Sequence, residues 1–166
     1  STVCAPSRCA LMTGLHTGHC QIRGNQEVKP EGQVPIDGST VTISTLLKQG
    51  GYRTGMFGKW GLGFPGSSGD PANFFDTFYG YNCQRQAHTY YPDHLWHNRE
   101  KIKLDGKTYS HDLILDAAKK FIREKRDGPF FCYLPVTIPH AAMHAPKDLH
   151  DKYRKLFPEF SVGRQI

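Results

Sequence analysis

Four groups able to handle an anion stand at informative positions in this sequence: a thiol at Cys4, a guanidinium at Arg8, an ammonium at Lys59 and an imidazole at His140. Arg8 lies one helical turn beyond Cys4, so a helix opening there puts both on one face. The first N–H groups of such a helix lack internal partners, and its dipole favours a bound anion. Arg8 can add a planar, two-pronged clamp for an oxyanion. Lys59 and the run Thr137, Ile138, Pro139, His140 each follow an apolar segment that reads as a strand. Ligands of open α/β sheets bind beyond the carboxyl ends of the strands. The four groups are therefore expected to converge on one anionic group.

The elements that must position them follow from local pattern. Pro6 suits a first helical residue, a short helix follows over 7–13, and Gly14 stops it. Residues 14–38, with Pro30 and Pro35, read as a long loop. Ser39 or Thr40 is expected to cap a helix over 41–49 that presents Val41, Leu46 and Leu47 and ends at Gly50 and Gly51. A strand over 52–58 leads into the Gly-rich turn 58–63. Residues 64–108 lack clear periodicity, so an irregular excursion with a short hairpin is expected. The strongest helix covers 110–126, where Leu113, Ile114, Ala117, Ala118, Phe121 and Ile122 form one apolar stripe. After Asp127, Gly128 and Pro129, the continuous apolar run 130–134 predicts a strand buried on both faces. A last helix is expected over 146–156. Helix and strand alternate, which predicts an α/β fold with a mainly parallel sheet.

Composition excludes several classes. With 38% hydrophobic and 22% charged residues in 166, the chain can build one packed domain. No run approaches the ~18 apolar residues of a membrane span. Lys and Arg number 21 against 15 acids, a formal +6, but they are scattered and not interleaved with aromatics, so nucleic acid is not an expected partner. Five cysteines without a CxxC pair support neither a zinc ribbon nor a disulfide framework. His144, four residues after His140, could pair with it on a metal only if the segment were helical, and Pro146 argues against that. No secretory leader and no initiator Met are visible, so the chain is expected to be part of a longer or processed protein.

The segment Cys4-Ala5-Pro6-Ser7-Arg8-Cys9-Ala10-Leu11-Met12-Thr13-Gly14 resembles the type I sulfatase signature C-x-P-S-R-x-x-x-(L/M)-T-G at every defined position. Gly51-Tyr52-Arg53-Thr54-Gly55-Met56-Phe57-Gly58-Lys59-Trp60 resembles the second signature of the same family. Their order, and Pro139-His140 after an apolar strand, also fit. The resemblance runs from the first residue to about Pro146. It implies an alkaline-phosphatase-like fold, only partly covered here, with residues 1–166 as a partial catalytic domain truncated at both ends.

The resemblance further implies that Cys4 is oxidised to formylglycine by a formylglycine-generating enzyme. One hydroxyl of the aldehyde hydrate attacks sulfur and displaces the alcohol; the second then loses its proton, sulfate departs and the aldehyde returns. Arg8 would hold the hydrate, Lys59 would neutralise sulfate charge, and His140 would contact the sulfate or the leaving oxygen. One divalent cation, usually Ca²⁺, is implied, with the modified Cys4 among its ligands. The family's acidic ligands before the Cys, and its Asp-Asn or Asp-Gln pair and second Lys after the His, fall outside 1–166, so this chain alone is expected to be inactive. The implied substrate is a sulfated small molecule or carbohydrate, and the implied location periplasmic or extracellular.

One departure is internal. Many members carry His two residues after the Lys, where this sequence has Gly61; His16 or His19 is a candidate substitute. The aromatic stretch from Phe74 to Trp96 is expected mainly in packing, with Arg85, His88, His94 and His97 able to read sulfated sugars. The competing readings are a phosphoesterase or phosphonate hydrolase of the same superfamily and a non-catalytic anion- or carbohydrate-binding relic.

Overall fold

A computed structural model describes residues 3–124, 126–140 and 144–158. Helix α1 (Cys4–Thr13) starts two residues earlier than the Pro6 signal predicts, and Gly14 ends it in the left-handed conformation. The loop that follows is irregular as expected, with one bridge between Glu27 and Gln33. Helix α2 (Ile43–Gln49) is capped by neither Ser39 nor Thr40. Thr42 caps it through a reciprocal pair, its hydroxyl accepting from the Thr45 N–H while the Thr45 hydroxyl accepts from the Thr42 N–H. That two-way bond outcompetes a single upstream hydroxyl. It leaves Val41 and Leu46 exposed.

Strand β1 (Arg53–Lys59) is an inner strand of a five-stranded mixed sheet, paired on both sides. The region read as an irregular excursion supplies three of those strands. After the short helix α3 (Pro71–Phe74) comes β2 (Thr77–Tyr81), parallel to β1 with Gly55 opposite Thr77. A single 3-10 turn (Gln86–His88) precedes the expected hairpin, β3 (His94–His97) and β4 (Glu100–Lys103), which joins β2 antiparallel. Helix α4 (Ser110–Arg123) crosses over to β5 (Phe130–Tyr133), parallel to the other side of β1. The sheet thus has the strand order β4-β3-β2-β1-β5, parallel around β1 and antiparallel beyond β2. Its β1 and β2 backbones approach closely at one point: a Cβ at Gly80 would lie 1.9 Å from the Gly58 carbonyl oxygen, so only glycine fits there.

Alternation along β1 feeds two cores. Met56 points to one that holds Ala5, Cys9 and Met12 of α1 with Trp60, Phe74, Phe75 and Phe78. Phe57 points to the other, with Tyr81, Leu95, Ile114, Ala118 and Phe121. Sheet faces are therefore covered by α1 on one side and α4 on the other. The α4 stripe is narrower than predicted, since Ile122 stays 47% exposed. Burying Ile114 and Phe121 contributes about 1.5–3 kcal/mol each and fixes α4 on the sheet. Strand β5 departs from the expectation of burial on both faces. It pairs with β1 alone, and among the described residues Phe130 and Leu134 remain exposed at the sheet edge. Helix α5 (Lys147–Leu156) buries no residue.

Candidate active site

Three of the four expected groups meet where β1 ends against the start of α1. Cys4 is the first residue of α1, whose first turn carries no acidic side chain and whose N-cap, Val3, contributes no side-chain bond. The helix's positive end therefore has no carboxylate of its own first turn beside it. Asn25, from the following loop, accepts from the Ala5 N–H at 2.9 Å and steadies this end. Lys59, the last residue of β1, donates from Nζ to Cys4 Sγ at 3.4 Å. Arg8 donates from Nη1 to the backbone carbonyl of the same Lys59. One strand end therefore binds the helix twice, once through its side chain and once through its backbone.

The electrostatics are unusual for structural cations. Lys59 is 3% exposed. Burial pushes its ammonium below the ordinary lysine value, and Arg8 pushes the same way. Burial likewise lowers Arg8, which lies against Tyr133, although a guanidinium stays charged. Among the described residues neither cation forms an ion pair with a carboxylate, and Arg8 Nε is buried without a partner. Buried charges are ordinarily paired. A buried and a half-buried cation with no carboxylate beside them have the chemistry to hold an anion.

His140 reaches the same neighbourhood by another route. The Lys59 N–H donates to the Pro135 carbonyl at 3.0 Å, which carries the chain from β5 across the end of β1. The hydroxyl of Tyr90, a fully buried side chain, donates to the Thr137 carbonyl at 3.2 Å and accepts from the His140 N–H at 2.7 Å. Burial first, and the Lys59 charge second, hold the His140 ring below its ordinary value.

The 82–90 segment adds groups that sequence reading left out of the catalytic set. His88 stacks on His140 with ring centroids 3.8 Å apart and planes 18° apart. It too is held low, by burial, then Lys59, then His140. Gly61 has φ +75°, and a Cβ there would fall 1.6 Å from Gln84 Nε2. The Gln84 amide fills that space and donates to the Gly61 carbonyl at 3.3 Å. Asn82 is fully buried with both amide atoms unpartnered. Such orphaned groups call for a water, ion or ligand. The signal for this segment lay in its many polar side chains just past a strand end, but β2 itself went unread.

Other candidates lie elsewhere. His16 and His19 are exposed beyond the far end of α1, a helix about 15 Å long, so neither stands in at position 61. Arg85 pairs with Glu27 at 2.8 Å. His94 bonds Glu31 and Asp93 through its two ring nitrogens, and His97 lies against Tyr79. His144 packs edge-on against Tyr90. Among the described residues no group of three or more His, Cys, Asp or Glu side chains could hold a metal ion. The groups around Cys4 are cations and amides, so these residues do not make a calcium site.

Comparison with known proteins gives this geometry a context. The family model described as Sulfatase matches residues 1–162. An arylsulfatase of Hemicentrotus pulcherrimus is 31% identical over 88% of this chain and 30% of its own length. An N-acetylglucosamine-6-O-sulfatase of Bacteroides thetaiotaomicron is 29% identical over 93% of this chain and 25% of its own. The chain thus spans under a third of these relatives. Among solved structures, Ps i-CgsB in complex with k-i-k-neocarrahexaose superposes with a TM-score of 0.76 at 26% identity, covering 98% of this chain and 39% of that one. Its likeness and those of related sulfatase structures carry the α/β, alkaline-phosphatase-like fold.

Proposed function

The chain belongs to the sulfatase family, and from that premise we propose that it forms part of a sulfuric ester hydrolase whose nucleophile is Cys4 after oxidation to formylglycine. The observation that carries this reading is the convergence of the buried Lys59 and the half-buried Arg8, without a carboxylate, at the start of α1 beside Cys4. The modified residue, produced by a formylglycine-generating enzyme, would supply two hydrate hydroxyls: one bonds to sulfur as the alcohol leaves, and loss of the other's proton then breaks the bond from carbon to the first oxygen, releasing sulfate and restoring the aldehyde. The chain's other residues bind and orient.

Lys59 faces the ester oxygens, and its buried charge gains most when the transition state concentrates negative charge there. Arg8 holds the nucleophile against Lys59 and offers its unpartnered Nε to the anion. His140 begins neutral because burial and Lys59 disfavour its proton. Once the sulfate offsets the Lys59 charge, the ring can carry the proton needed by the departing alcohol oxygen. No step is assigned to calcium, because the residues described here do not build a site for it.

A sulfated carbohydrate is the substrate class we favour. The names of the glucosamine sulfatase relative and of the neocarrahexaose complex support it. A polymeric sulfated glycan is met outside the cytoplasm, which favours a periplasmic or extracellular location. Among the described residues no helix is long and apolar enough to cross a membrane.

Peptide mass spectrometry of the complete protein, co-produced with a formylglycine-generating enzyme, should find aldehyde at Cys4. Turnover of 4-nitrophenyl sulfate should exceed that of 4-nitrophenyl phosphate. An unmodified Cys4 defeats the proposed nucleophile. Preference for phosphate would move the protein to the phosphoesterase branch of the superfamily, and sulfate binding without turnover would mark a non-catalytic binding protein.

A further inference from the structure

The proposed reaction gives no part to His88, yet this ring is built into the site more firmly than its place in a short 3-10 turn requires. It lies 3.8 Å from the His140 ring, nearly parallel to it at 18°. The next-but-one residue, Tyr90, grips the His140 backbone through the hydroxyl bond at 2.7 Å and the preceding turn through Thr137 at 3.2 Å. The Tyr90 carbonyl in turn accepts from the Ser110 N–H at 2.8 Å, which ties the segment to the start of α4. Upstream, Gln84 occupies the space above Gly61 and bonds its carbonyl. The 84–90 segment thus touches both strand exits, the one after Lys59 and the one before His140.

A stacked ring removes rotational freedom. His140 sits on a chain segment outside any helix or strand, where its ring would otherwise sample several rotamers. Face-to-face contact at 3.8 Å confines its plane. His88 Nε2 and His140 Nδ1 are both buried without a partner among the described residues, so the contact is a packing of ring faces and not a hydrogen-bonded dyad. Two imidazolium rings so close would repel, which also disfavours a second proton on the pair.

We propose that His88 is a positioning residue of the active site: its ring, carried by the segment that Tyr90 anchors, fixes the plane of His140 beside Lys59. The proposal rests on the reading of His140 as a group that meets the sulfate ester. His88 touches no reacting atom; it acts through His140.

The test uses the complete protein with 4-nitrophenyl sulfate as the probe, and the variants His88→Ala, His88→Asn and His88→Phe. The Ala and Asn variants should lose roughly 10–100-fold in kcat, as a misplaced catalytic group does, with KM within about twofold. The Phe variant keeps a flat ring and should recover most of that loss. Wild-type kcat in the Ala and Asn variants overturns the proposal, and so does a Phe variant as slow as Ala, because the nitrogens would then matter. A second readout needs no turnover: titration of the His140 ring by NMR with ¹³C-labelled histidine. Its midpoint should rise in His88→Ala and stay low in His88→Phe, since only the first uncovers the ring. An unchanged midpoint in His88→Ala overturns the stack. If the wild-type protein hydrolyses no sulfate ester but the midpoint moves as expected, the assigned reaction fails while the positioning contact stands.

Discussion

The two walls of the site are built on different principles. On one, Cys4, Arg8 and Lys59 project from the first turns of a helix and the last residue of a central strand, so regular backbone fixes them. Their chemistry is charge held out of water. On the other wall, His140 on irregular chain and His88 on a 3-10 turn are rings whose protonation burial disfavours, fixed by stacking and by one buried hydroxyl. In the proposed reaction the first wall supplies electrostatic stabilisation and the second supplies orientation. Regular elements suit the former because a buried cation needs a rigid surround to resist resolvation. Loops suit the latter because a ring plane can be set by a single neighbour.

If that division is right, damage to the first wall should be the most severe. Lys59→Ala in the complete enzyme should lower kcat about 10²–10³-fold, the usual cost of one lost charge-stabilising contact, with thermal stability kept or raised because an unpaired buried charge is gone. His140→Ala should fall in the same range for kcat without that gain in stability. Steady-state kinetics with a melting curve checks both, and a Lys59→Ala enzyme of near-normal kcat would remove the cation from the site.

The boundary between the walls is sterically set. Gly61→Ala puts a methyl group onto the Gln84 amide at a backbone angle of +75°. It should destabilise by about 2–3 kcal/mol through strain and overpacking combined. Chemical denaturation checks this, and an unchanged midpoint would mean that the 84–90 segment moves aside freely.

Much of the first wall was legible in the sequence because its information is local: Cys4 and Arg8 share one helical turn, and Lys59 closes a short apolar run. Of the second wall only His140 was named. The bond between Tyr90 and His140 spans 50 residues, and no periodicity reports such a contact. His88 could be named only as a possible sugar contact, and Tyr90 only as packing. Strand β2 escaped for a different reason. Its sequence, Thr77 to Tyr81, contains Gly80 and lies among Asn, Gly and aromatics that read as loop, whereas the close approach to Gly58 that demands glycine exists only after β1 and β2 pair. Burial of β5 on both faces was inferred from its apolar run, but Phe130 is exposed and the other three residues are half-buried. The helix boundaries moved by one to three residues where a reciprocal Thr42–Thr45 cap or an early first turn outcompeted the single-residue signals.

A smaller effect probes the second wall alone. Tyr90→Phe deletes the hydroxyl that bridges Thr137 and His140, leaving the His140 N–H without its partner, and should cost about 1–2 kcal/mol of stability. Urea unfolding of the folded variant measures it; no loss would show that another group, such as water, takes over the bridge.

The smallest expected effect is a pH dependence. His88 and His140 are held below the ordinary histidine value near 6.5, by burial first. The folded state therefore binds fewer protons than the unfolded chain between that value and the depressed ones. Their contribution to stability is fully present above about pH 6.5 and is lost as the pH falls through this window. Urea midpoints at pH 7.5 and 5.5 should separate, and His88→Gln with His140→Gln should narrow the gap. An undiminished gap would assign the acid sensitivity to other groups.

The double hold of Lys59 on α1, side chain to Cys4 and backbone to Arg8, has a consequence for reorganisation energy. In water, dipoles must turn towards a charge as it develops, and that turning is part of the barrier. Here the helix that carries Cys4 and the strand that carries Lys59 are tied together by two bonds, so in the proposed reaction neither has to move to meet the sulfate. The field is set when the chain folds, before any ester arrives, and the only motion left to the reaction belongs to the substrate and the rings across from it.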